Sequence, residues 1–375
     1  MGPAAETPPS RRVRDWAESG VAALTGRPDG PPLVPPGDAA TVGGSGRLLR
    51  TADGLAAVSC ARPDDPALLG ALICAEVDPA DPWPAVTAWL ASHSGAELAD
   101  RAEMLGIAAA PVQPPTPPEP LPLAPPRSVD GLLVVDFGSL WAAPLCAHLL
   151  GLAGARVVKV ETPSRPDGAR RGNPGFYALL HGGHESVCLD PGRPADRAAL
   201  SELVAAADVV VEASRPRALA GFGLDAEESV ARGTTWVSIT AAGRASGRVG
   251  FGDDVAAAAG LVARDADGPM FVGDAIADPL TGLAAAALAC SADAPGRLIE
   301  VSMTDVVAAT LTDSREASPT ARQDGHRWVV DTENGVAEIV KPRTRPATGE
   351  APELGRDTAT VLRSLGIRTS GVSTL

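Results

Sequence analysis

Few residues in this chain are of a type that does chemistry. Five histidines and five cysteines are spread through 375 residues, and no G-x-S-x-G elbow supplies a serine nucleophile. One carboxylate stands out by position. The stretch VGDAIADPLTGLAAAALA, Val272 to Ala289, sets Asp278 directly before Pro279 and a long apolar run. Aspartate at the cap and proline at the first helical position make an ordinary helix entry. A carboxylate placed there also meets free amides and the positive end of the helix dipole, which favour negative charge. An ionised carboxylate can attack an activated acyl group. Local rules leave both readings of Asp278 open.

Asp253 and Asp254, in GFGDDVAAAAG, precede another apolar run. Read alone, they are a cap and a second acid well placed at a dipole. HGGHES puts His181 and His184 three apart beside Glu185. A metal there would want a third ligand and a helical frame, and this stretch has two glycines and leads into a strand. The turn DFGSLWAAP lacks G-x-G-x-x-G, so a dinucleotide fingerprint is not supported, although amides at that helix start suit a phosphate.

The elements that must hold these residues alternate. GLLVVDF, ARVVKVE, ESVCLD, DVVVEA and TWVSIT read as strands between Gly131 and Thr240. Apolar runs opening at Pro144 and Pro194 read as helices between them. Such alternation predicts a parallel sheet covered on both faces, with ligands at the carboxyl ends of its strands. VQPPTPPEPLPLAPPRS, Val112 to Ser128, reads as a stiff linker. Before it, GLAAVSCA predicts a strand, and DPALLGALICAEV, WPAVTAWLASH and GAELADRAEML predict helices. The expected organisation is a polar tail over 1–12, a module over 13–112, the linker over 113–128 and a larger module over 129–375.

Composition narrows the class. Hydrophobic residues make up 45% and aromatics 3%, so Ala, Val and Leu must build the cores. A net charge of -14 argues against nucleic acid as a partner. Scattered cysteines without C-x-x-C pairs fit reduced thiols and a cytoplasmic setting. The first residues lack the apolar stretch of a signal peptide, and no run is long enough to span a bilayer.

In order along the chain stand VVDFGSLWAAPLCAHLLGLAGARVVKVETP, HGGHESVCLD, ADVVVEASRPRAL, WVSITAAGRASG, GDDVAAAAG, DGPMFVGDAIADPLTGLAAAALA, GRLIEVSMTDV and RPATGEAPELGRDTATVLRSLGI. This series resembles the family III CoA-transferases, which include formyl-CoA and carnitine CoA-transferases and alpha-methylacyl-CoA racemases. SGVAALTGRPDGPPLV and ELADRAEMLGIAAAPV are similar to further family segments, as though part of a second copy preceded the first. The resemblance implies a Rossmann-like α/β large domain with a smaller α+β domain, and a homodimer. It implies that Asp278, in the A-D-x-x-x-G context closed by Gly282, is the nucleophile. Acyl-CoA and a small carboxylic acid would be the substrates, with no permanently bound cofactor.

By position, the resemblance puts CoA contacts at Ser139, Leu140, Ala142 and Ala143 after the first strand. Others fall at Gly183, His184 and Ser186, at Arg215, at the turn holding Ala242 and Gly243, and at Asp253 and Asp254. The sequence departs from the family in two ways. His184-Glu185 stands where a Lys-Arg pair is usual, and Trp141 where a smaller or polar residue is usual. Asp253 stands where the racemases carry histidine, so racemase chemistry is the second reading. A degenerate CoA-binding or scaffold protein is the third.

Overall fold

The computed structural model describes residues 40–41, 44–114, 116, 124–214, 216–265, 268–311, 322–332, 335–339 and 346–372. The tail over 1–12, the segment 19–34 and residues 115 and 117–123 of the proline-rich stretch lie outside them. The chain forms two compact units. One comprises Met1–Pro118, Gly252–Ile276 and Val307–Arg345; the other comprises Glu119–Phe251, Ala277–Val306 and Pro346–Leu375.

The first unit opens with β1 (Gly46–Arg50) and β2 (Leu55–Ser59). Helices α1 (Asp65–Ile73), α2 (Trp83–Leu90) and α3 (Gly95–Leu105) follow, then β3 (Ala109–Pro111). The three strands make an antiparallel sheet in the order β1-β2-β3. Ser94 caps α3 by accepting from the Glu97 amide, and Gly106 ends it in the left-handed region. Leu69, Leu72, Val86, Leu90, Leu98 and Ile107 close over Ala56 and Val58 of β2. The predicted α1 was longer; Cys74 stops it in a left-handed C-cap.

The second unit carries the alternating elements. They are β4 (Leu133–Asp136), α4 (Ala142–Leu152), β5 (Arg156–Glu161), a 3-10 turn (Gly168–Arg171), α5 (Pro174–His181) and β6 (Glu185–Cys188). Then come α6 (Pro194–Ala205), β7 (Val209–Glu212), α7 (Pro216–Gly221), α8 (Ala226–Ala231) and β8 (Thr235–Thr240). The chain returns to the first unit with α9 (Gly252–Ala258), β9 (Val262–Asp265) and β10 (Gly268–Phe271). It re-enters the second with α10 (Ala277–Ala289) and β11 (Leu298–Ser302), and α11 (Met303–Ala309) follows. Three antiparallel strands, β12 (Arg322–Asp324), β13 (Arg327–Thr332) and β14 (Gly335–Ile339), precede α12 (Thr358–Ser364).

The expected parallel sheet is present, six strands in the order β11-β8-β7-β4-β5-β6, every pair parallel. Its valine-rich strands are buried, and Val135, Val158, Val187 and Val210 pack with Leu200, Leu203 and Leu362. β11 was not predicted; LIEVS carries a glutamate and lies at the sheet edge, where a full apolar run is not required. At the other edge the C-terminal segment covers β6. Asp357 accepts from the Ser186 amide and Thr358 from the Cys188 amide, which removes an open edge.

Residues 252–276, read from sequence as part of the larger module, cluster with the N-terminal strands. Ser59 of β2 donates to Asp254 of α9 at 2.8 Å, and Ala257 packs with Leu48 and Ala57.

Helices α4 and α10 lie against each other within the second unit. A Cβ on Gly282 would stand 2.7 Å from the Ala142 carbonyl oxygen and 2.9 Å from Leu145 Cβ. The close crossing therefore requires glycine. Gly282→Ala gains about 1 kcal/mol of helix propensity, yet the overlap meets backbone and should dominate. We expect a net loss of about 1–2 kcal/mol, read as a lower urea midpoint.

Candidate functional site

Asp278 lies in the first turn of α10, one residue inside the helix rather than at its cap, because the helix begins at Ala277. Its carboxylate is half-buried. Oδ1 accepts from the amide of Ala142 at 3.3 Å, and Ala142 is the first residue of α4. Two helix N-termini thus share one carboxylate. Their unpaired amides and dipoles favour negative charge there. Gly282, one turn along α10, permits this approach.

The turn from β4 into α4 is unusual. Leu140 has φ +67° and is exposed, a conformation that costs an L-residue about 1–2 kcal/mol. Its amide donates to Asp167 Oδ1 at 3.0 Å. Ser139 beside it is exposed, whereas Ala142 and Ala143 are buried. Trp141 is buried, with its ring edge-on to Phe176 at 5.2 Å.

The other residues expected around CoA are placed variously. Gly183 is exposed with φ +80°. His184 and Ser186 are buried. The Ser186 hydroxyl accepts from the Gly355 amide, so it is engaged by the C-terminal segment. Ala242 and Gly243 are half-buried in the turn after β8. That turn is fixed by the Gly243 amide donating to Thr240 Oγ1, and by Thr304 donating to the Ala241 carbonyl. Arg244 donates to Glu212 Oε1, which also takes the Trp236 indole N–H. Asp253 Oδ1 accepts from the amide of Ala275 at 2.7 Å, holding a residue of φ +50° three positions before Asp278 in sequence. Asp254 is buried on Ser59. Arg215 lies outside the described residues.

The His184-Glu185 departure has a local explanation. Glu185 forms a bidentate pair with Arg156 of the neighbouring strand, at 2.6 and 3.1 Å. His184 joins His148 and His181 in a buried group, with ring centroids 5.9 and 5.8 Å from His184. Burial holds the His181 imidazole well below its ordinary range, helped by the Lys159 charge. Burial, with His148 and Lys159 nearby, brings His184 down to about 3. Among the described residues no group of three or more His, Cys, Asp or Glu is placed to hold a metal ion. Nor is any helix among them long and apolar enough to cross a membrane.

Sequence reasoning missed the Ala142 amide, since a backbone group leaves no mark on composition. It also passed over Lys159, one of two lysines in the chain. A lysine between valines in a strand covered on both faces was a readable signal, because such a charge must find partners.

The chain belongs to CoA-transferase family III, whose model matches residues 129–336. It is 34% identical over 111 residues to succinyl-CoA–D-citramalate CoA-transferase of Chloroflexus aurantiacus, 28% of each protein. It is 40% identical over 95 residues to succinyl-CoA:mesaconate CoA-transferase of Haloarcula hispanica, 23% of this chain and 24% of that one. Against succinate–glutarate CoA-transferase of Agrobacterium fabrum it is 29% identical over 210 residues, 49% of this chain and 52% of that one. The match thus spans from about a quarter to about half of these relatives' lengths. A solved CAIB/BAIF family protein from Brucella suis aligns with TM-score 0.46 and 26% identity, over 56% of this chain and 65% of that one.

The histidine group sets a pH dependence. Unfolding returns His184 to its ordinary 6.5, whereas folding lowers it to about 3. The unfolded chain therefore binds more protons between these values. The stability this group contributes is complete above about 6.5 and is lost as the pH falls toward about 3. Among the described residues, Nδ1 of His184 has no hydrogen-bond partner. His184→Leu should therefore fold and show a shallower acid loss, read by urea unfolding across that pH window.

Proposed function

We propose that this chain moves CoA from an acyl-CoA thioester to a small carboxylic acid, with Asp278 as the covalent nucleophile. The observation that carries the reading is the Asp278 carboxylate facing the Ala142 amide where two helices begin. Family membership and the relatives' names, with their citramalate, mesaconate and glutarate, support the substrate class. A homodimer accompanies this reading by resemblance, and a cytoplasmic setting by the unpaired spacing of the cysteines.

In the first step Asp278 attacks the thioester carbonyl carbon. The C–S bond breaks, CoA leaves as thiolate, and a mixed anhydride forms. The thiolate then attacks the aspartyl carbonyl of that anhydride. The donor acid departs as carboxylate and an aspartyl-CoA thioester remains. The acceptor carboxylate attacks the same carbon, regenerating thiolate and a second anhydride. Attack of thiolate on the acceptor's acyl carbon forms the new acyl-CoA and frees Asp278. Each step exchanges one anion for another, so no proton need be supplied or removed. Every attack on the aspartyl carbon places negative charge on an Asp278 oxygen. The Ala142 amide is a ready donor to it, and the 3.3 Å separation has room to shorten as charge builds.

Incubation with an acyl-CoA and hydroxylamine tests the reading. A hydroxamate on Asp278, found by peptide mass spectrometry and lost in Asp278→Asn, is the expected result. Absence of the adduct across several acyl-CoAs would sink it. Solvent deuterium entering the α-carbon without an adduct would point to racemase chemistry instead.

A further inference from the structure

Behind the turn that carries Leu140 and Trp141 lies a buried group of charges that the proposed reaction does not use. Lys159 of β5, Asp136 at the end of β4 and Asp167 in the following loop are all almost fully buried. Lys159 Nζ lies 3.0 Å from Asp167 Oδ2 and 3.8 Å from Asp136 Oδ2. Each member also holds the turn. Lys159 Nζ donates to the Gly138 carbonyl at 2.6 Å. Asp136 Oδ1 accepts from the Gly138 amide at 2.7 Å. Asp167 Oδ1 accepts from the Leu140 amide at 3.0 Å and from Ala169 at 2.9 Å. The carbonyl and amide of residue 138 and the amide of residue 140 are thus all tied to the buried side, two residues before the amide that meets Asp278.

We infer that Lys159 and Asp167 are positioning residues, a buried ionic clamp that keeps Leu140 left-handed and so aims the Ala142 amide at Asp278. The role rests on the reading of Asp278 as nucleophile. The logic is geometric. Leu140 would leave its left-handed conformation if its amide had no fixed acceptor. The peptide groups that follow would then rotate, and the start of α4 would lose its alignment with the carboxylate. Buried charges suit the task because breaking one contact leaves an uncompensated partner, which makes the turn all-or-none. Asp136 sets a second carboxylate 3.8 Å from the ammonium and accepts the amide of residue 138.

The test uses the full chain in two variants, Lys159→Met and Asp167→Ala, each checked for folding by circular dichroism. Hydrogen–deuterium exchange over residues 138–142 reads the turn itself. Hydroxylamine trapping at saturating acyl-CoA, with the acyl-CoA Kd measured separately, reads the alignment. Exchange over 138–142 should rise about tenfold or more while the central strands stay protected. The trapping rate should fall on the order of tenfold to a hundredfold with little change in Kd. A purely structural role would lower the melting temperature but leave both readouts at wild-type levels in the folded protein. Unchanged exchange overturns the clamp, and so does raised exchange with wild-type trapping. If Lys159→Met fails to fold, Asp167→Ala, which keeps Lys159 paired with Asp136, decides by the same measurements. If the wild-type protein gives no adduct, the reading of Asp278 fails, and exchange alone judges the clamp.

Discussion

The amide of Ala142 reaches Asp278 because Gly282 carries no side chain. An α4–α10 crossing close enough for this contact leaves no room for a Cβ, and any larger residue pushes the start of α4 away. The same glycine lies one helical turn from the aspartate, so carboxylate and gap share one face of α10. The spacing A-D-x-x-x-G thus has a mechanical meaning. The aspartate is brought to a helix start, and the glycine brings a second helix start to the aspartate.

Such a contact needs both partners held still, and they are held differently. Asp278 rides on thirteen residues of regular helix. Ala142 follows a turn that an L-residue adopts only under constraint, and the constraint comes from charges buried beneath it. Burying a lysine and two aspartates is costly, and such groups are often no more stabilising than an apolar core. Here burial raises the Asp136 carboxyl above its ordinary range, opposed by the nearby Lys159 charge. A lysine buried at that cost, with both its paired aspartates gripping the same turn, is accounted for by geometry better than by stability.

Much of the second unit was legible because a parallel sheet buried on both faces writes itself as short valine runs. TWVSIT matched β8 residue for residue, and the other runs differed only at their ends. β11 escaped because an edge strand tolerates a glutamate. The helix starts at Ala277 rather than at Pro279, a two-residue difference that moves the carboxylate from capping its own helix toward meeting another. Nothing local to the sequence signals that change, since the partner amide lies 136 residues away. Glu185 likewise has a partner that its neighbours in sequence do not show. Read along the chain it replaces a cation; across the sheet it answers Arg156 on the next strand.

These placements divide the labour of the site. Several groups that titrate are drawn into the interior. Asp136 and Asp167 both face the Lys159 ammonium, and His181 and His184 are held uncharged. One partner of the carboxylate in the second unit is a backbone amide, a donor whose protonation does not follow pH. Acyl exchange between carboxylates and a thiolate creates and consumes only anions, so a site for it gains from fixed donors and little from an acid or base. A general base beside Asp278 would have no proton to take and, if anionic, would repel the anions that the helix starts favour. Sparse chemistry in the sequence, five histidines and no serine elbow, is then consistent with a reaction whose demands are alignment and charge, met by two helix ends and a glycine.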